Sequence, residues 1–172
     1  DGSGYVQSDL AFTANERYHL CVRIDRAAQT YSVQVTTPQG ETVQIAEDFA
    51  FRSTAQQPDD IGKIYLFNND QAEGRYWIEH ITSEERLRPS DDALISVESS
   101  TSGAISASRE IGPSTSKRTT VSFDAVTTLP ADQTNAIIGI GAAGSDYHAY
   151  AQVPIVIRMF NDGYFSVYDG TR

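Results

Sequence analysis

Along most of this chain hydrophobic and polar residues alternate with a period of two, the spacing of a strand that buries one face. Tyr18, Leu20, Val22 and Ile24 alternate with His19, Cys21, Arg23 and Asp25, and Tyr31, Val33 and Val35 alternate with Ser32 and Gln34. Pro38-Gln39-Gly40 stops the second run and Val43 and Ile45 start a matching one, so residues 30–47 read as a hairpin. Further strands are predicted at 63–67, through Ile64 and Leu66, and at 75–82, through Trp77 and Ile81. The alternation returns in Val121 and Phe123, in Ile138 and Ile140, in Ile155, Ile157 and Met159, and in Phe165 and Val167. Asn161-Asp162-Gly163 is the turn before the last of these strands. No stretch longer than about ten residues keeps the 3.6-residue period of a helix. Roughly a dozen short strands with turns between them predict one all-β domain over residues 1–172, an antiparallel β-sandwich of jelly-roll type.

The pattern breaks most clearly at 83–92, where Glu84-Glu85-Arg86-Leu87-Arg88-Pro89 is charged and aperiodic, which predicts a surface linker between residues 1–82 and 93–172. Ser99 to Gly103 and Gly112 to Ser116 read as loops. The two ends of the chain also read as parts of one hairpin. The run Gly163-Tyr164-Phe165-Ser166-Val167-Tyr168 enters Asp169-Gly170, and the chain opens on Asp1-Gly2. Gly163 to Arg172 is therefore expected beside Asp1 to Ala14.

Tyr18 to Asp25, then Gln29 to Val35, Gln39-Gly40 and Phe49-Ala50-Phe51-Arg52, resemble a recurring stretch of laminin-G-like, concanavalin-A-like jelly-roll modules attached to secreted bacterial polysaccharide-active enzymes. Thr119 to Asp124, Ile137 to Gly141 and Ile155 to Phe160 resemble the early half of the same kind of module. In that pattern the half resembling 93–172 comes first, so the resemblance implies a circularly permuted order or a piece of a tandem array. It further implies secretion, a polysaccharide or oligosaccharide partner, and pairing with a neighbouring module or a second copy by strand exchange.

Charge narrows the partners. With 13 basic and 23 acidic residues the formal net charge is -10, which argues against nucleic acid and anionic membrane surfaces. No apolar run approaches the roughly 20 residues of a membrane-spanning helix. The single cysteine, Cys21, excludes an internal disulfide and reads as an ordinary strand residue.

Candidate chemistry is sparse. A retaining glycosidase of this architecture needs two carboxylates about 5 Å apart, and Trp77-Ile78-Glu79-His80 offers one on its strand. Trp77 itself reads more readily as core than as platform. The residue types of a polysaccharide lyase occur in His148, Tyr150 and Arg158, a base and a cation for a uronate, but a tyrosine-rich loop entering a strand is the plainer reading of them. Loop oxygens of Asp59, Asp60 and Asp70, with Asn68, Asn69 and Asp124, suit a structural calcium ion, against the plainer reading of solvated turn residues. No other cofactor is indicated. If the alternating apolar residues face the core, Arg23, His19 and Gln34, and Arg158, Tyr164 and Tyr168, lie on outer sheet faces; with Tyr150 and His148 they offer the planar polar groups and rings that hold sugars. A non-catalytic carbohydrate-binding module is the leading expectation, with a jelly-roll lyase and a structural or adhesive repeat as alternatives.

Overall fold

Each period-two run becomes a strand in the computed structural model, which describes residues 4–52, 58–68, 74–83, 95–99, 105–147 and 150–171. The strands are β1 (Tyr5–Ala11), β2 (Tyr18–Asp25), β3 (Thr30–Thr36), β4 (Thr42–Ala50), β5 (Ile61–Asn68), β6 (Gly74–Ser83), β7 (Ile95–Ser99), β8 (Ile105–Ser114), β9 (Arg118–Thr127), β10 (Ala136–Gly141), β11 (Ile155–Met159) and β12 (Tyr164–Tyr168). Helical structure among the described residues is limited to two short 3-10 turns, at Ala131–Gln133 and Tyr150–Gln152. None of it is long and apolar enough to cross a membrane.

The strands form two antiparallel six-stranded sheets. One runs β1-β12-β11-β10-β5-β8 and the other β4-β3-β2-β9-β6-β7; they are called here the β1 sheet and the β2 sheet. A single cluster of buried side chains lies between them. Leu20, Val22 and Ile24 of β2, Val33 of β3 and Phe123 of β9 meet Ile138 of β10, Ile155 and Ile157 of β11, and Phe165 and Val167 of β12. Each fully buried side chain of this size is worth about 1.5–3 kcal/mol of apolar transfer, so this shared core is what holds the sheets face to face.

Residues far apart in sequence are direct neighbours. Tyr5, Val6 and Gln7 pair with Tyr168, Val167 and Ser166, and the Asp169 N–H donates to the Gly4 carbonyl at 2.7 Å. The segments at the two ends of the chain thus lie side by side in the β1 sheet, as the turn residues suggested. A bulge follows, since Ala11 is the next partner of Tyr164, and the Ser8 hydroxyl donates to the Phe165 carbonyl within it at 2.9 Å.

Two local readings are corrected. Gly112 and Pro113 are not loop: β8 continues to Ser114. It is an edge strand of the β1 sheet, where a missing proline N–H leaves no ladder partner wanting. The outer face of the β1 sheet, expected to carry Arg158, Tyr164 and Tyr168, also carries apolar side chains that are buried. Val156 is fully buried beneath Val153, with Tyr65, Phe67 and Ile137 beside it in a second apolar cluster. Of the expected linker, Ser83 belongs to β6 and 84–92 lies outside the described residues.

Candidate functional site

The sandwich splits the candidate sugar platform in two. His19 and Arg23 on β2 and Gln34 on β3 lie on the outer face of the β2 sheet, opposite their buried neighbours. Arg158, Tyr164 and Tyr168 sit on the outer face of the β1 sheet, on the far side of the molecule. Alternation assigns each residue an outward side, but only pairing decides which sheet that side belongs to.

On the β1 sheet, cations and rings alternate. The Arg52 guanidinium lies 3.7 Å from the Tyr168 ring centre, and its Nη2 donates to the Tyr5 hydroxyl at 3.1 Å. The Arg158 guanidinium lies 4.4 Å from the Tyr5 ring and 3.8 Å from the Phe160 ring. Arg52 is only 8 % exposed. These rings are already covered by protein cations, so Tyr168 does not present an open stacking surface. Tyr164 stands at the rim of a shallow polar depression with Gln7, Ser8 and Asp9.

On the β2 sheet, the outer ends of β2, β3, β4 and β9 enclose a groove of about 510 Å³. Arg23, Asp25, Ser32, Gln44, Asp48 and Arg118 line it. Arg118 Nε donates to Asp25 Oδ2 at 2.9 Å, and the Ala28 N–H donates to Asp25 Oδ1 at 2.9 Å. The Ala28 N–H and then Arg118 hold the Asp25 carboxyl below its ordinary value. Asp48 takes a left-handed backbone (φ 51) at an irregularity of the β3–β4 pairing, where its N–H donates to the Ser32 hydroxyl at 3.0 Å. Gln34 pairs with Cys21 and Gln44, one step along the same face.

Further along that face a second constellation surrounds Asp124. β9 lies between β2 and β6, and Asp124 is the direct partner of His19 on one side and of Glu79 on the other. His19 Nδ1 lies 2.7 Å from Asp124 Oδ1, and His80 Nδ1 lies 2.9 Å from Asp124 Oδ2. His80 reaches this face because β6 bulges between Glu79 and Thr82, with His80 at φ 52. In a regular strand, consecutive residues would point to opposite sides. Arg17 closes the group, with Nη2 2.5 Å from Glu79 Oε1 and Nε 3.9 Å from Asp124 Oδ2.

Burial pushes the Asp124 carboxyl up, but the hydrogen bonds and charges of His80 and His19 outweigh it and leave the carboxyl below its ordinary value. His80 is correspondingly raised by its hydrogen bond to Asp124. A carboxylate held ionised in this way is a poor general acid. Trp77, half-buried, opens on the same outer face beside Arg75, Glu79 and Ser96.

Asp70 and His148, and the side chain of Tyr150, lie outside the described residues. Asp60 Oδ1 accepts the Ala143 N–H at 2.7 Å, and the Asp59 carbonyl accepts from Arg26. Among the described residues neither joins a group of three metal-ligating side chains. The alternation of Val121 and Phe123 already turned Asp124 outward; that it meets His19 across 105 residues of chain carries no local signal. Comparison with protein-family models, with curated proteins and with solved structures found no match to this chain.

Proposed function

We propose that this chain is a non-catalytic carbohydrate-binding module of jelly-roll type, and that it holds a neutral oligosaccharide or polysaccharide in the groove of the β2 sheet. The observation that carries the reading is the groove itself: about 510 Å³, open along the sheet, with charged and amide side chains from β2, β4 and β9 and hydroxyls from β3. Ligand sites typically span about 300–1,000 Å³. Sugar hydroxyls both donate and accept, and they are best matched where fixed donors and acceptors alternate. Arg23 and Arg118 supply the donors, and Asp25, Glu47 and Asp48 the acceptors. With two cations against three carboxylates the lining leans anionic, which favours a neutral glycan over a uronate polymer.

The resemblance to modules of secreted polysaccharide-active enzymes supports the same reading, and with it an extracellular setting and a permuted strand order. The lyase alternative draws less support, because Arg158 is stacked between Tyr5 and Phe160 instead of facing an open cleft.

Affinity electrophoresis against a panel of neutral glucans, mannans, xylans and galactans tests the proposal. Retardation by at least one polymer is expected, with Arg23→Ala and Asp48→Ala each weakening it at least about tenfold, as loss of a charged hydrogen-bond partner does. If no polymer retards the protein, or both variants bind like the parent, the groove is not a sugar site.

A further inference from the structure

We propose that Glu79, His80 and Asp124 form a binding site for a divalent first-row transition-metal ion of the Zn2+ type, with His19 steadying Asp124 from the opposite side. The site is separate from the sugar groove. Asp124 lies four residues along β9 from Thr120 of the groove lining, about 13 Å at strand rise.

The donor set comes first. Each of the three side chains offers one ligand atom, and these atoms lie within 4.8 Å of one another. Zn2+ binds imidazole nitrogen and carboxylate oxygen at about 2.0–2.2 Å, so atoms sharing one ion stand at most about 4.4 Å apart. Closing the present cluster onto an ion asks for a small side-chain movement and no change of backbone. A mixed nitrogen and oxygen set favours Zn2+ and its neighbours over Ca2+, which takes six to eight oxygens.

The backbone is shaped to assemble the set. Without the bulge at 79–82, Glu79 and His80 would point to opposite faces of β6. The bulge holds a histidine in the left-handed region at φ 52, an arrangement that costs on the order of 1 kcal/mol or more. What the molecule gains in return is a second side chain on Asp124.

Polar satisfaction points the same way. Glu79 Oε1 is shielded from solvent and receives no well-angled hydrogen bond, its contact being the ionic one to Arg17. The two carboxylates of Glu79 and Asp124 face the one guanidinium of Arg17. Arg17 is the occupant that a metal would displace, and with its side chain 57 % exposed it has free space to swing into. His19, hydrogen-bonded to the other oxygen of Asp124, then plays the orienting part that outer partners of metal-bound carboxylates commonly play.

The test is titration of EDTA-stripped protein with Zn2+ by calorimetry, and with Co2+ by visible absorption. One ion per chain is expected, with His80→Ala weakening Zn2+ at least about 100-fold and His19→Ala by about 10- to 100-fold. Arg17→Gln is expected to bind several-fold tighter, a result that a purely structural cluster would not produce. His80 is exposed, so His80→Ala is expected to fold; a circular dichroism spectrum matching the parent verifies this, and Asp124→Asn adds a second variant. Arg23→Ala is expected to leave Zn2+ binding unchanged, which separates this site from the sugar groove. Absence of Zn2+ binding, equal affinity in the His80→Ala protein, or displacement of Zn2+ by millimolar Ca2+ overturns the proposal.

Discussion

Gly170 packs directly against the backbone of Phe51: a Cβ built at position 170 falls onto the Phe51 carbonyl oxygen and lies 2.8 Å from its carbonyl carbon. The Gly170 N–H also donates to the Ala50 carbonyl at 3.1 Å. The turn that follows β12 is thereby pinned to the end of β4. Because the obstacle is backbone, no rotamer change can relieve it. Gly170→Ala is expected to destabilise by about 1–3 kcal/mol, lowering Tm by several degrees for a chain of this size. Thermal unfolding followed by circular dichroism measures it, and an unchanged Tm would mean that the Phe51 segment shifts without cost.

Phe165 is the side chain on which the core turns. It is fully buried on β12, with its ring 5.7 Å from Phe12 and 5.4 Å from Tyr18, both edge-on. Those partners come from the chain after β1 and from β2, so one ring ties both sheets together. Phe165→Ala is expected to cost about 3–5 kcal/mol through lost burial and the cavity left behind. Urea denaturation provides the value; a loss under about 1 kcal/mol would show that the core collapses around the gap.

The Asp124 cluster makes stability depend on pH in metal-free protein. Asp124 holds the His80 imidazolium above its ordinary value of 6.5, so the folded chain binds that proton more tightly than the unfolded one. The stabilisation is then complete below about pH 6.5 and is lost as pH rises through the folded value. The urea midpoint is expected to fall between pH 6 and 8.5 by a margin missing from His80→Gln. Identical profiles for the two proteins would contradict this coupling.

Much of the architecture was legible because burial on one face imposes a period of two. β2 shows it plainly: Tyr18, Leu20, Val22 and Ile24 are buried, while His19 and Arg23 are exposed. Val156 shows where the signal ends. Its outward side was correctly readable from Ile155 and Ile157, yet it is as buried as they are, because Val153 covers that face. Trp77 errs in the opposite sense, since a large apolar residue stands half-buried on an outer face where Arg75 and Ser96 flank it.

The opening alternation, with the Asn-Asp-Gly and Asp-Gly turns, determined by itself that this is an all-β chain, which side chains of β2, β3, β9, β10, β11 and β12 turn inward, and that the segments at its two ends belong together. Those properties depend on neighbours in sequence and on the geometry of a single strand. Only the tertiary structure decided that β9 lies between β2 and β6, that His19, Asp124 and Glu79 therefore stand in one row, and that Arg23 and Arg158 face away from each other. Strand order is set by how two sheets share one core across long stretches of chain, and a bulge such as the one at His80 is set by the partner strand. Neither leaves a periodic mark in the residues that obey it.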